Sequence, residues 1–489
     1  MNHRNNIAAP LASVLGLLLA ANGWSQEATV YHGFTRLDPV SATVTADAFV
    51  VVQGNRIAAV GSGTPPEGDG WSYVDMSGRY ALPGFFDTHA HVTIGPLKVE
   101  LKDGAPTFRF EVIHDIHRHN GLIALAFGVT TIRNPAGDAE ANAHYDAMIE
   151  SGAWLGPEAV HAGDLFNPGF PHYPRDDAEW EREMARQQAL GMKYAKLYQG
   201  LTELELAHGI EIAHAHGMKA IAHLDAVSWT RAMELGIDEL THALPTSADL
   251  LVEPNRSEYV ASRAVPDAKF MYRWFELVDY DNAPFQNMLR MLVEKEIHVD
   301  LTLIANEIIY FFDRIDELEY PLEHAYPDPA FLENWHQTMT ASHFGWTEDD
   351  YRRAHAVMPK VLELAKRFHE AGVRLSIGTD GTGGGPSFVR ELSLHVQAGI
   401  PAWEVLRLAT SGAAERLGLA ERTGTLAPGL EADIVFLNSD PLQNIENVGD
   451  VDIVVQNGRA HRSKELIEMT SAQANWPDAL GAPAATPAQ

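Results

Sequence analysis

The residues best suited to chemistry stand in Asp87-Thr88-His89-Ala90-His91, directly after the apolar run Tyr80-Ala81-Leu82-Pro83-Gly84-Phe85-Phe86. Side chains two apart in an extended strand point to the same face. His89 and His91 are therefore expected to project together where a strand ends. Two neutral imidazoles aimed at one point, with a carboxylate just upstream, make half of a metal site. The chain holds 23 histidines, enough for such pairs to arise by chance. The pair gains meaning only from what other elements bring beside it.

Those elements follow from the central part of the chain, where short apolar runs alternate with helical stretches, the pattern of parallel β/α units. After the run at 82–86, seven further strands are expected at 129–133, 159–162, 194–198, 220–223, 239–242, 299–303 and 374–378. Eight such strands match an α/β fold of the (β/α)8 TIM-barrel type, whose functional groups sit at the C-terminal strand ends. Strand one then delivers His89 and His91, strand four Lys196, strand five His223, strand six His242 and strand eight Asp380. Four histidines, a lysine and an aspartate would converge on one mouth. The long connections at 243–297 and 304–373 carry many aromatic residues, among them Trp274, Tyr310 and Trp335. They read either as barrel-covering helices or as a lid that shapes the substrate site.

The termini have a different pattern. Alternating β-like runs at 48–52 and 57–60 flank the turn at 53–56, and similar runs lie at 432–437 and 451–455. They are expected to pair into one small β-sandwich, built from 26–78 and 421–465, with the barrel (79–420) inserted between them. Residues 466–489 read as a tail that is disordered toward its Ala/Pro/Gln-rich end.

The motifs taken together resemble the amidohydrolase superfamily, most closely the branch of imidazolonepropionase-like proteins and metal-dependent Xaa-Pro dipeptidases. The resemblance rests on the run from Leu82 to His91, on Gly128-Val129-Thr130-Thr131 and on Gly378-Thr379-Asp380. It also rests on the stretches from Glu391 to Gly399 and Ala409 to Gly418, and on Gly424 to Val435. It implies two divalent metal ions, zinc by preference. His89, His91 and Asp380 would hold the more buried ion, and His223 and His242 the more exposed one. Lys196, carboxylated by carbon dioxide, would bridge them as an anionic oxygen ligand. The implied chemistry is hydrolysis of an amide or peptide-like C–N bond in a dipeptide or N-acyl amino acid. A metal-bridging hydroxide would attack, with Asp380 as general base.

Other residues enter as candidates for substrate contact: Tyr198 beside Lys196; His161 at the end of strand three, which reads equally as a hydrogen-bonded strand-end histidine; and Arg133, which could instead form a structural ion pair. His208, His214 and His216 read as surface residues of a helix. Gly383-Gly384-Gly385 reads as a flexible loop, with no phosphate-binding spacing.

Alternatives follow from the same residues. A mononuclear deaminase would carry a glutamate shortly after His223, where the chain has Leu224-Asp225-Ala226-Val227. A cyclic-amide or lactone hydrolase would use the same metals. A non-catalytic binding protein would show a substituted ligand, whereas all six ligand positions are filled.

Composition narrows the context. The formal net charge is −30, from 66 acidic and 36 basic residues, which disfavours nucleic acid and anionic membranes as partners. A small-molecule substrate is the expected partner, and a homo-oligomer is compatible with the sequence. Residues 1–25 read as an export signal: Arg4, an apolar stretch at 7–21, then Gly23-Trp24-Ser25. The apolar stretch is shorter than the roughly 20 residues that span a bilayer, so no stable anchor is expected after cleavage. With no cysteine, folding in a periplasmic or extracellular compartment needs no disulfide.

Overall fold

The computed structural model describes residues 27–102, 105–264, 267–318 and 329–472. The expected export signal and the end of the tail lie outside them. Among the described residues no helix is long and apolar enough to cross a membrane.

Both ends of the chain contribute to one hydrogen-bonded sheet of eight strands. Its N-terminal strands are Thr29–Asp38, Thr43–Gln53, Arg56–Ser62, Ser72–Asp75 and Tyr80–Pro83, and its C-terminal strands are Ile434–Leu437, Val451–Gln456 and Arg459–Arg462. The two groups meet where Ile434–Leu437 runs antiparallel to Tyr80–Pro83. Alternation along Thr43–Gln53 explains the packing: Val50 and Val52 join Phe34, Ile434 and Phe436 in one apolar cluster, while Val51 joins Val30 in another. The turn between the last two strands has Asn457 at φ 48° and Gly458 at φ 77°, the left-handed pair that a tight hairpin needs. The hydrogen-bonded order runs through both groups as one continuous sheet. The hairpin tip at Asn55 and Ile57 also bonds back to Ala432 and Leu430.

The central segment holds eight parallel strands: β1 (Phe85–Asp87), β2 (Val129–Asn134), β3 (Glu158–His161), β4 (Tyr194–Leu197), β5 (Lys219–Ala222), β6 (Glu239–Thr241), β7 (His298–Asp300) and β8 (Arg374–Ser376). They hydrogen-bond in order as one sheet of β1 to β3 and one of β4 to β8. Backbone contacts bridge both gaps: Ala162 pairs with Tyr194 after β3, and Thr88 N–H donates to Ile377 O at 2.8 Å between β1 and β8.

Two expected boundaries shift. Leu82 and Pro83 belong to the terminal sheet, not to β1. Gly84 separates the two strands, and a Cβ there would lie 2.1 Å from Thr130 Oγ1. Leu303, expected in β7, opens the helix Leu303–Tyr310 instead. Thr302 turns the backbone at φ 43°, and the Glu391 carboxylate accepts the Leu303 and Ile304 N–H groups at 3.0 and 2.8 Å. The helix Leu303–Tyr310 thus replaces its missing backbone partners with a buried carboxylate.

The long connections are helical. After β6 come Asn255–Ser262, Phe270–Leu277 and Ala283–Glu294; after β7 come Leu303–Tyr310, Pro329–Ser342 and Glu348–Ala371. The chain is also helical at Ser463–Ala472, where Leu466 is buried in the main core.

Candidate metal centre

The strand ends bring the ligand-type residues to one place. His89 Nε2 lies 3.1 Å from Asp380 Oδ1, and His91 Nε2 lies 3.2 Å from the same oxygen. The His242 Nδ1 is 3.8 Å from Asp380 Oδ2. His89, His242 and Asp380 each offer an atom within 4.8 Å of the other two. The His223 ring sits 4.3 Å from that of His242 and 4.8 Å from that of Tyr198. The Lys196 ammonium is buried next to this group, 3.5 Å from Thr241 Oγ1 and 5.9 Å from the centre of the Tyr198 ring.

Local backbone explains the convergence. His242 (φ 71°) and Asp380 (φ 59°) both follow a strand in the left-handed region, which L-residues adopt only under surrounding constraint. Gly378 lets β8 approach β1 closely, since a Cβ there would lie 2.5 Å from His89 Cβ. Asp87 serves the frame rather than the mouth. Its carboxylate accepts Thr379 Oγ1 at 2.7 Å and the backbone N–H groups of His89 and Thr379. Burial pushes its pKa up to about 6 against those bonds.

The proton positions of the two β1 histidines follow from their partners. His89 Nδ1 faces Asp300 Oδ1 at 2.6 Å. Burial raises the Asp300 pKa, but His89 and Arg133 outweigh it and hold the carboxyl well below its usual range. Asp300 is therefore an acceptor, and His89 Nδ1 carries the proton. His91 Nδ1 faces the Ala136 carbonyl at 3.0 Å, which can only accept. Nε2 of each ring is directed at the Asp380 carboxylate. His89 Nε2 is buried and has no hydrogen-bond partner. Imidazole nitrogens that converge on one carboxylate make an arrangement a cation can complete. The donor set of imidazoles and a carboxylate fits a divalent ion of the zinc type.

Electrostatics keep the donors in ligand form. Burial pushes His91 and His242 down, with Asp380 opposing, and takes His223 down to about 3. The Asp380 carboxyl is raised by burial, yet His242, His89 and His91 bring it well below its usual range. Burial, then the Arg133 charge, lowers Lys196 to about 8.

A family model, the amidohydrolase family, matches residues 80–460. The chain belongs to the amidohydrolase family. That membership places it among metal-dependent hydrolases of carbon–nitrogen bonds. The ochratoxinase of Aspergillus niger is 32% identical over 104 residues, which span 21% of this chain and 22% of that enzyme. Among solved structures, a bottromycin amidohydrolase superposes with a TM-score of 0.65 at 19% identity, covering 92% of this chain and 90% of its own. A Xaa-Pro dipeptidase with methionine bound in its active site gives 0.63 at 18% identity, covering 89% and 100%. These likenesses are of fold.

Not every candidate of this amidohydrolase reaches the mouth. Arg133 is fully buried and donates to Asp300 Oδ2 at 2.5 Å, so it is placed behind His89 as a structural ion pair rather than against substrate. His161 turns outward, its Nε2 2.9 Å from Asp146 Oδ1 on the helix Ala139–Glu150. The glycines at 383–385 do not form a loose loop: a Cβ on Gly384 would lie 2.5 Å from Ala124 Cα, so the segment packs on the helix His114–Ala126.

Of the buried charges behind the centre, Arg133 alone was a candidate from the sequence. Arg416 NH2 donates to Glu239 Oε2 at 2.5 Å and to Asp300 Oδ2 at 3.0 Å. Two arginines and two carboxylates, all at most 1% exposed, thereby neutralise one another. Burial raises Glu239, but Arg416 and Arg133 hold it down to about 2. Gln199 was also missed; its Nε2 lies 2.8 Å from His223 Nε2. Asp300 and Gln199 each stand at the end of an apolar strand, where the position alone could have flagged them. Arg416 lies on the helix Ser411–Leu417, which carries no such mark.

Proposed function

We propose that this amidohydrolase hydrolyses an amide or peptide-like bond in a small substrate, a dipeptide or an N-acyl amino acid. Its centre is binuclear and sits at the mouth of a closed (β/α)8 barrel; the protein works after export. The observation that carries the reading is the convergence of two imidazole nitrogens, His89 Nε2 and His91 Nε2, on Asp380 Oδ1 at 3.1 and 3.2 Å. The backbone contacts between β3 and β4 and between β8 and β1 support closure.

His89, His91 and Asp380 would hold one ion and His223 and His242 the other, with carboxylated Lys196 between. Bound there, divalent ions would polarise the scissile carbonyl and lower the pKa of water. Asp380 takes a proton at its carboxylate from the attacking water and returns it to the leaving amine. Asp300 keeps the His89 proton on Nδ1. Lys196, buried and lowered to about 8, has a neutral amine within reach at mild pH. That amine can attack carbon dioxide and lose a proton to give the carbamate. Tyr198, whose ring lies 4.8 Å from that of His223, would donate to a substrate oxygen.

The test is a panel of dipeptides and N-acyl amino acids incubated with the purified protein and added zinc at neutral pH. Turnover of at least one member, lost on chelation, is the expected result. A panel without turnover would redirect the reaction to lactones or other esters.

A further inference from the structure

Resting on the amide-hydrolase reading, we propose that the substrate carries an uncharged apolar group on one side of the scissile bond. Its size is that of a single aromatic ring or a branched aliphatic chain. The group's seat is a cavity of about 180 Å3 that opens directly on His91 and Asp380. Its apolar wall comes from Ile304, Ala305 and Ile308 on the helix Leu303–Tyr310 and from Phe331, Trp335 and Met339 on the helix Pro329–Ser342.

Chemistry and size both point this way. Among the residues lining the cavity, His91 and Asp380 are the only titratable ones. A substrate carboxylate placed there would meet no cationic side chain and would lose its water without compensation. The Thr379 hydroxyl at the inner edge is engaged by Asp87. An apolar protein cavity of about 150 Å3 accepts a benzene molecule, so this one has room for one ring and its linking atom.

The walls are anchored. Glu391 holds the start of the helix Leu303–Tyr310. The Asn334 side chain accepts from Leu97 N at 2.7 Å and donates to Leu97 O at 2.9 Å, tying Pro329–Ser342 to the strand Leu97–Lys102. His343 Nε2 donates to Ile309 O at 2.8 Å and joins the two helices to each other. A preformed apolar pocket of this kind discriminates by shape.

The experiment uses the metal-loaded full-length protein. Calorimetry compares benzamide, an uncharged ring on an amide, with acetamide, which lacks the ring. Turnover is then measured on two matched amide series, one varying the acyl group from acetyl to benzoyl, the other varying the amine side from glycine to leucine and phenylalanine. Benzamide is expected to bind at least about tenfold tighter than acetamide, and one series to favour its larger apolar member by a similar factor. Ala305→Phe, which places a ring in the cavity from a half-buried position, should remove both preferences. Trp335→Ala should shift them toward two-ring groups, with the fold of each variant checked by its melting curve. Equal binding of the two amides, or preferences that neither variant moves, would overturn the subsite while leaving amide hydrolysis standing. Benzamide binding without turnover of any amide would overturn the hydrolase reading and, with it, this substrate assignment.

Discussion

Two groups of histidines lie close together in this protein, and they differ in what surrounds them. At the mouth, His89 and His91 have their Nδ1 protons fixed by Asp300 and Ala136, and Asp380 faces both free nitrogens. On the helices His114–Ala126 and Ala139–Glu150, the His114 ring lies 4.1 Å from that of His144 and 5.6 Å from that of His117. There Trp154 packs against His114 and His144 at 6.2 and 5.4 Å. His117 is fully buried with neither ring nitrogen hydrogen-bonded. Burial and the neighbouring His114 and His144 push it down to about 3. At the mouth, acceptors on Nδ1 orient the rings and a carboxylate stands where both Nε2 atoms point, the arrangement a metal site needs. His114, His117 and His144 instead pack ring against ring.

The largest effect expected on this contrast is from Asp380→Asn. Turnover should fall by about 1,000-fold or more, since the variant loses its proton acceptor, while elemental analysis still finds metal. Near-normal turnover would remove Asp380 from the proton-transfer role. Next, Lys196→Ala should lower the metal content from about two ions per chain toward one; one ion per chain, unaffected by the substitution, would argue for a mononuclear centre and revive deamination. Asp300→Ala frees the His89 ring and leaves Arg133 and Arg416 partly uncompensated. Metal affinity should drop about 10- to 100-fold and stability by about 3–5 kcal/mol, read by competition with a chelator and by denaturant titration.

The smallest effect sharpens the other side of the comparison. The folded pKa of His117 is about 3, below its unfolded value of 6.5. The unfolded chain therefore binds the extra proton between those values, and the stability held above pH 6.5 is lost as pH falls toward 3. The loss approaches about 1.4 kcal/mol per pH unit. His117→Leu should flatten the acid limb of the stability curve without changing metal content. An unchanged limb would mean that His117 is protonated in the folded state.

Much of this was legible from local pattern. The eight apolar runs became β1 to β8, and the period-2 spacing of His89 and His91 carried both to the same carboxylate. The spacing could not show which face of a strand looks inward. His161 could have met substrate or been a hydrogen-bonded strand-end residue, and it pairs with Asp146 on an outer helix. Nor could it separate one long apolar run into two sheets at Gly84, because the cause is the Thr130 side chain on a neighbouring strand.

The sequence alone determined the kinds of ligand, their order on successive strand ends and the alternation that builds parallel β/α units. These depend on periodicity, which is local. Only the tertiary structure decided what stands against each ring nitrogen, because Asp300 is 211 residues from His89. The same holds for what keeps Asp300 ionised: Arg133 and Arg416 lie 167 and 116 residues from it. A proton's place on an imidazole is set by what stands within hydrogen-bonding distance, and that distance exists only once the chain has closed on itself.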